Sequence, residues 1–549
     1  MTESRSIASM TDNKLLTDRK RAPAQFAWVW DRLELALLGT VLVVGLAVRL
    51  WYAQAIDFPP LDDPAYYVKV AQNILAGRGL TVDIIWDYFL PFASVTHPSN
   101  EFWMPLTSLV LCVFFRLFGV SFHVAQIPGV MAGALLPVMS YIYARLVFEE
   151  AGLSMPRRAA FTCGLLVALN ALLSYQSAIA DSTAPYAVLV LGALLVAGRR
   201  VGNASLGRHL LLGILLGLAY LTRSHAVFLM LAWGSVWTFS IWHRQVERRF
   251  IVGRGLITIA GAGLIIVPWL MRNYLAFGAF SSPSTYKGAL LVDYVDFFNY
   301  ATPVDLSTFL QHGPFAILAS RWEGLSHNLT VQNLAMPPLA VIAWAGLFLL
   351  VIRSSQARLG LLYAALLYLG MSLIFTGPAI TGSYWHSLGS AIPVMYVGLV
   401  YLLACPCRWL SRRQSWRYDF FEVLCLGLLV ISVLQLLVVG SGTTRRHQKE
   451  AQQFGSIAAW LAEHPAPVVM TTQPSTLNYV TNVPAIMLPG NEQPDVVLEA
   501  ARRYGARYLI ITEQFGLYPR ILEQQPDPRF VEVLRTEDAR IYELRYLVP

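Results

Sequence analysis

The Lys/Arg clusters of this chain fall in every second gap between its hydrophobic stretches. Cytoplasmic loops of membrane proteins carry such an excess of positive charge, so this alternation both implies membrane spans and orients them. A mean hydropathy of +0.51, with 56% hydrophobic and only 13% charged residues, removes the soluble alternative. A globular domain of that composition could not cover its surface with polar groups.

The hydrophobic stretches predict spans over 34–52, 123–146, 159–178, 183–198, 209–222, 225–242, 252–271, 337–353, 359–376, 386–404 and 419–440. With the basic tail of Lys14, Arg19, Lys20 and Arg21 in the cytoplasm, the clusters around Arg157, Arg199, Arg248, Arg353 and Arg412 all become cytoplasmic too. Phe102–Gly119 is the exception. It is apolar enough to span, but a full crossing there would put every later cluster outside. It therefore reads as a re-entrant or interfacial helix over a covered cleft, the alternative being an ordinary span with the parity restored elsewhere. The expected fold class is a polytopic α-helical membrane protein of about 11 transmembrane helices plus that re-entrant or interfacial helix.

This topology leaves outside the loop 57–102, the loop 273–333, a short turn at 376–385 and everything after Gly440. Composition changes at that last point: VVMTT and ARYLIITE read as strands, and PDVVLEAARRYGA between them has helical apolar spacing and a glycine near its end. The expected division is thus a cytoplasmic tail (1–32), a membrane domain (33–440) and a small extracytoplasmic α/β domain (441–549). The net charge of +8 is accounted for by cytoplasmic Lys and Arg, so no nucleic-acid partner is expected. The polar tail before the first apolar run does not read as a cleavable signal peptide. All five cysteines lie in apolar stretches or at their cytoplasmic ends, which argues against a disulfide framework.

Chemistry concentrates in FPPLDDPAYYVKVAQNILAGRGL. Asp63 directly before Pro64 has the form of an N-cap and first helical residue, which would start an amphipathic helix lying on the membrane surface. The same adjacent carboxylates, Asp62 and Asp63, are also placed to act as a general base on a docked hydroxyl. Arg223 and Arg272 are basic residues at outer ends of spans, where charge statistics would not have put them; each is either a snorkelling anchor or an anion site.

In these marks the chain resembles the integral-membrane glycosyltransferases of the GT-C superfamily, near the protein O-mannosyltransferase and lipid A aminoarabinose transferase group. The resemblance rests on Asp63, Tyr67, Ala71 and Gly77 in the first outer loop, Met104-Pro105-Leu106 running into Phe118-Gly119, Tyr220-Leu-Thr-Arg223, and Pro268-Trp-Leu-Met-Arg272. It implies a sugar taken from a polyprenyl-phosphate donor and passed, with inversion, to an acceptor hydroxyl of a glycan, lipid or protein. Asp63 would be the base, with Asp62 secondary, and Arg223 and Arg272 would bind the phosphate. One departure is Trp103, which stands where that group has a lysine, so that Lys69 or His97 would have to compensate. His97 and Glu101 could add a divalent-cation site with Asp63, or serve local hydrogen bonds. Asp181 could face the cleft or cap the next span, and His386 stands where relatives often have arginine. Together with Tyr67 these complete the expected substrate-binding set, in the plasma (inner) membrane. A lipid-linked sugar flippase is the competing class, although no internal repeat of the transporter kind is visible.

Overall fold

The computed structural model describes residues 31–198, 205–243, 248–336, 339–413, 420–512 and 527–546. It divides after Thr40. The described part of the first unit is the beginning of helix α1 (Arg32–Gln54), and Val41–Pro549 form the second unit.

Each predicted stretch carries an apolar helix. After α1 come α2 (Asp62–Leu75), α3 (Leu106–Phe118), α4 (Phe122–Glu150), α5 (Pro156–Ala168), α6 (Ala171–Ala178), α7 (Thr183–Ala197), α8 (Leu206–Thr222), α9 (Ala226–Trp242) and α10 (Arg248–Phe277). They continue with α11 (Gly313–Ala335), α12 (Ala340–Val351), α13 (Ser355–Leu373), the short α14 (Tyr384–Leu388), α15 (Ile392–Arg413) and α16 (Phe420–Glu463). Among the described residues, five helices are individually long and apolar enough to cross a membrane, seven if the bent pairs α5–α6 and α11–α12 each count as one span. Five more apolar helices are shorter, α3 among them: at about 1.5 Å per residue its 13 residues fall well short of a hydrocarbon core about 30 Å thick. The protein is a multi-pass membrane protein.

Two elements exceed the sequence expectation. The loop 273–333 holds all but the last two residues of the 23-residue helix α11, and α16 runs for 44 residues, so the span expected to end at 440 continues as a polar helix into the C-terminal part. That part forms a sheet with β4 (Val468–Thr471), α17 (Pro474–Thr481), β5 (Ala485–Met487), α18 (Pro494–Tyr504), β6 (Ala506–Thr512), β7 (Phe530–Arg535) and β8 (Ala539–Leu544). Helix α18 stops at Gly505, whose φ of +74° is the left-handed conformation that closes a helix without Cβ strain. The first outer loop supplies β1 (Thr81–Val82), β2 (Ile84–Ile85) and β3 (His97–Pro98). Strand β2 adds in parallel to β5, giving the six-stranded order β2-β5-β4-β6-β8-β7. The loop and the C-terminal part therefore lie on the same side of the membrane.

This pairing changes the setting of α2. The expected surface helix is buried along most of its length, between α3 and α17, because the C-terminal part covers the face that water was expected to wet. Its start also differs from expectation. The N-cap is Leu61, with no side-chain cap, so Asp63 occupies the second helical position. Proline is tolerated throughout a first turn whose N–H groups have no intrahelical partner, which is why Pro64 does not fix the boundary.

The break between α5 and α6 positions the next critical segment. The two helices meet at 50°. Arg49, fully buried, donates to the carbonyls of Val167 (3.0 Å) and Ala168, which the break frees, while Asn170 caps α6 by accepting from Leu173 N (3.0 Å). Irregular backbone at this depth survives only when its polar groups are so satisfied. A Cβ on Gly133 of α4 would collide with Ser177, and the close approach seats α6 so that residues 179–182 follow it inward.

Candidate active site

Three elements remote in sequence converge on one group of charged side chains. Asp63 projects from the first turn of α2, Asp181 from the segment between α6 and α7, and His386 from α14. His386 Nδ1 lies 2.6 Å from Asp181 Oδ2, and its Nε2 lies 3.8 Å from Asp63 Oδ2, so the imidazole sits between the two carboxylates. Arg223, which ends α8, donates to Ser182 Oγ (2.6 Å) and lies 3.9 Å from Asp181. Tyr67, one turn along α2 from Asp63, donates to the same hydroxyl at 3.2 Å.

Asp181 is not the cap of α7. Its carboxylate accepts from Ser182 N (2.6 Å) and from the Ser182 and Thr183 hydroxyls (3.1 and 2.6 Å), while Ser182 occupies the N-cap position without a capping bond. Ala180, just before it, holds a left-handed φ of +59°, a conformation that costs a non-glycine residue energy and that concentrates at functional segments.

The two carboxylates are driven apart electrostatically. Burial pushes the Asp63 carboxyl up; His386 and Arg223 pull it down, Asp181 pushes it further up, and the balance remains above the usual carboxylate range. Burial acts on Asp181 in the same sense, but contact with His386, Arg223 and the Thr183 hydroxyl outweighs it and holds this group well below that range. Such a split separates a carboxylate held as an anion from one whose surroundings favour its protonated form.

Atoms of Asp63, Asp181 and His386 able to ligate a metal lie within 4.8 Å of one another. Two carboxylate oxygens and an imidazole nitrogen suit a divalent cation by donor type. That set differs from the expected one: His97 and Glu101 do not join Asp63 but face each other (3.7 Å), and Glu101 accepts from Tyr66 (3.2 Å). Arg272 lies in that second neighbourhood, within electrostatic reach of Tyr66 and Glu101, and stacks on Trp269 and Phe277. Asp62 turns away from the cluster. Its Oδ1 accepts from Thr476 N (3.1 Å), serving as a cap in trans for α17. Lys69 also turns to the C-terminal part, donating to Asn482 (2.8 Å), and neither it nor His97 takes a place beside Trp103.

A cavity of about 230 Å³ adjoins the cluster through Tyr67 and Arg223 and continues along apolar side chains including Phe228, Met371 and Phe375. Trp103 and His225 also line it. The buried Trp103 indole N–H is directed at Asp63 and favours its charged form. In the sequence Trp103 stands out only as a departure, and nothing there marks His225, two residues from Arg223, or Ser182 and Thr183 beyond the possible cap at Asp181.

No protein-family model matches the sequence, and no curated protein sequence matches it either. Solved structures do. The Archaeoglobus fulgidus oligosaccharyltransferase, tethered with an acceptor peptide containing the NVT sequon, superimposes with a TM-score of 0.56 at 13% identity, over 88% of this chain and 70% of that one. The same archaeal enzyme, AglB, in complex with an inhibitory peptide and a dolichol-phosphate gives 0.54 at 12% identity over the same shares. ArnT from Cupriavidus metallidurans, bound to undecaprenyl phosphate, gives 0.50 at 14% identity over 92% of this chain and 97% of that one. Both proteins are GT-C superfamily membrane glycosyltransferases. The chain has the GT-C fold. At such low identity the GT-C likeness speaks for architecture, and the roles of individual residues have to be argued from their own geometry.

Proposed function

We propose that the protein is a glycosyltransferase that moves a sugar from a polyprenyl-phosphate donor to an acceptor hydroxyl, with inversion, on the outer side of the membrane. The observation that carries this reading is the position of Asp63, a carboxyl kept protonatable by burial, beside Arg223 at the lip of a cavity that is apolar beyond it. Solved structures of this fold contain dolichol-phosphate and undecaprenyl phosphate, ligands with the same pairing of phosphate and hydrocarbon. A flippase would have no need of a base set against an imidazole that a second carboxylate holds.

In the proposed step the ionised Asp63 accepts the proton of the acceptor hydroxyl. The new bond from that oxygen to the sugar C1 forms as the bond from C1 to the phosphate oxygen breaks, and polyprenyl phosphate departs with both electrons. A positioned base of this kind contributes about a hundredfold to ten-thousandfold. Arg223 meets the charge that develops on the phosphate, and its bond to Ser182 fixes its direction beforehand. Asp181 holds His386 against Asp63 and, by its own negative charge, keeps Asp63 from becoming too weak a base. If a divalent cation binds, Asp63, Asp181 and His386 would hold it, and it would supply fixed positive charge for the same phosphate.

The test is single-turnover transfer by purified protein in nanodiscs containing polyprenyl-phosphate sugar, read as released polyprenyl phosphate. Wild-type turnover by Asp63→Asn would leave the carboxylate without a chemical role and sink this reading.

A further inference from the structure

A second cavity, of about 320 Å³, lies between α6, α11 and α16 and shares no lining residue with the first. Its wall on α16 changes in character along the helix axis. Val439 stands in the apolar run LLVVG, and Thr443, Arg446 and Glu450 follow it in the polar stretch SGTTRRHQKE. At a rise of about 1.5 Å per residue, Arg446 lies about 10 Å beyond Val439 and Glu450 about 6 Å beyond Arg446. The cavity thus runs from hydrocarbon into the polar layer on the side that carries the C-terminal part.

The facing wall is apolar and aromatic. It includes Leu334 of α11, exposed outward, and the rings of Tyr175 and Trp385, which meet edge-on at 5.9 Å. Tyr175 lies within electrostatic reach of both Arg446 and Glu450. Those two are paired, Arg446 donating to Glu450 at 2.8 Å, but their side chains differ in exposure, 53% against 16%. The guanidinium can therefore serve a second anion from the water side, while the carboxylate is turned into the cavity. Burial pushes the Glu450 carboxyl up, Arg446 and His447 draw it down, and the balance stays above the ordinary value. This carboxylate is short of positive charge.

We infer that this cavity holds a membrane phospholipid with a primary-ammonium head group, of the phosphatidylethanolamine type, taken from the leaflet that meets the C-terminal part. Along such a lipid the order is hydrocarbon, phosphate, ammonium, and along α16 it is Val439, Arg446, Glu450. Each charge of the head group then meets its opposite. The acyl chain lies between Val439 and Leu334, the phosphate accepts from Arg446, and the ammonium donates to Glu450 beside the Tyr175 ring. A phospholipid without the ammonium would satisfy Arg446 but bring no cation to Glu450, and a choline head group has no N–H to donate. The inference concerns neither sugar donor nor acceptor, and it stands apart from the glycosyltransferase reading.

The test uses full-length protein in detergent micelles and a phosphatidylethanolamine carrying a photoreactive diazirine in one acyl chain. Cross-links are expected in residues 331–335 and 439–443, and Thr443→Trp, which fills the cavity at its wall, should remove most of them. Unlabelled phosphatidylethanolamine should displace the probe at a concentration about tenfold lower than phosphatidylcholine or phosphatidylglycerol requires, the scale of one hydrogen bond between charged groups. Glu450→Gln should erase that advantage with the unfolding temperature unchanged. Glu450→Lys should turn the preference toward phosphatidylglycerol, an inversion that a purely structural role of Glu450 would not produce. Displacement from the wild-type protein by phosphatidylglycerol, phosphatidylcholine or undecaprenyl phosphate as readily as by phosphatidylethanolamine overturns the inference. So does labelling spread evenly over the exposed apolar helices, or a preference for the ethanolamine lipid that survives Glu450→Gln.

Discussion

Asp63 offers a clean separation of chemistry from structure. Because Leu61 holds the cap position of α2, Asp63→Asn removes a proton acceptor without removing a helix cap. The expected result is normal folding and donor binding with transfer reduced on the order of 10²- to 10⁴-fold, read by single-turnover kinetics. The raised Asp63 carboxyl also sets a pH dependence. The base must be ionised, so kcat/KM should fall as pH drops through a limb lying above the ordinary carboxylate value of about 4. A profile flat down to pH 4 would count against Asp63. At Arg223, lysine keeps the charge but loses the planar fork that reaches Ser182 and a phosphate together. Arg223→Lys should accordingly lower donor affinity more than the stability of the protein, as seen by comparing undecaprenyl phosphate binding with thermal unfolding.

At the scale of elements, the contact between α2 and α17 is the one least to be expected from the sequence. Asp62 accepts from Thr476 in the first turn of α17, and Lys69 reaches Asn482 just past its end. Loss of a helix cap costs about 1 kcal/mol, so Asp62→Ala should raise amide exchange within 474–481 while leaving α2 protected. Burial also pushes the Asp62 carboxyl up to about 7 from 3.8. The native state then keeps a proton that the unfolded chain releases, so this contribution to stability is present below about pH 4 and is lost as pH rises toward 7. Asp62→Asn should flatten the fall of the unfolding temperature between about pH 4 and 7. Asp87, pushed up to about 7 by its own burial and by Glu101, retains its part of that slope in the variant.

Across the whole molecule, the pairing of Ile84 and Ile85 with Ala485 and Ile486 ties the first outer loop to the chain's last hundred residues. Both must be on one face of the membrane, and we propose from the alternation of the basic clusters that this face is the outer one. Cysteines introduced at position 121 and at Glu537, in a background without native cysteines, should react with an impermeant reagent from outside. Labelling of position 121 only from the cytoplasm would reverse the orientation of every later loop.

The apolar helices were legible in the sequence because membrane burial is written locally, in runs of hydrophobic residues and the charges between them. The resemblance in Asp63, Tyr67 and Arg223 pointed to the cluster for a related reason: each sits at a helix end that topology had already placed. What the sequence could not contain was distance. Asp181 and His386 are about 200 positions apart, and the break after Ala168, the kink at Gly382 before α14 and the packing of α4 on Ser177 bring them into contact. The same limit explains the separation of Arg272 from Arg223, since two arginines near the ends of apolar stretches can face different neighbours. Asp62 and Asp63 make the point most sharply. One residue apart on a helix, they point about 100° apart, and the covering sheet gave one to a helix terminus and left the other for the cavity.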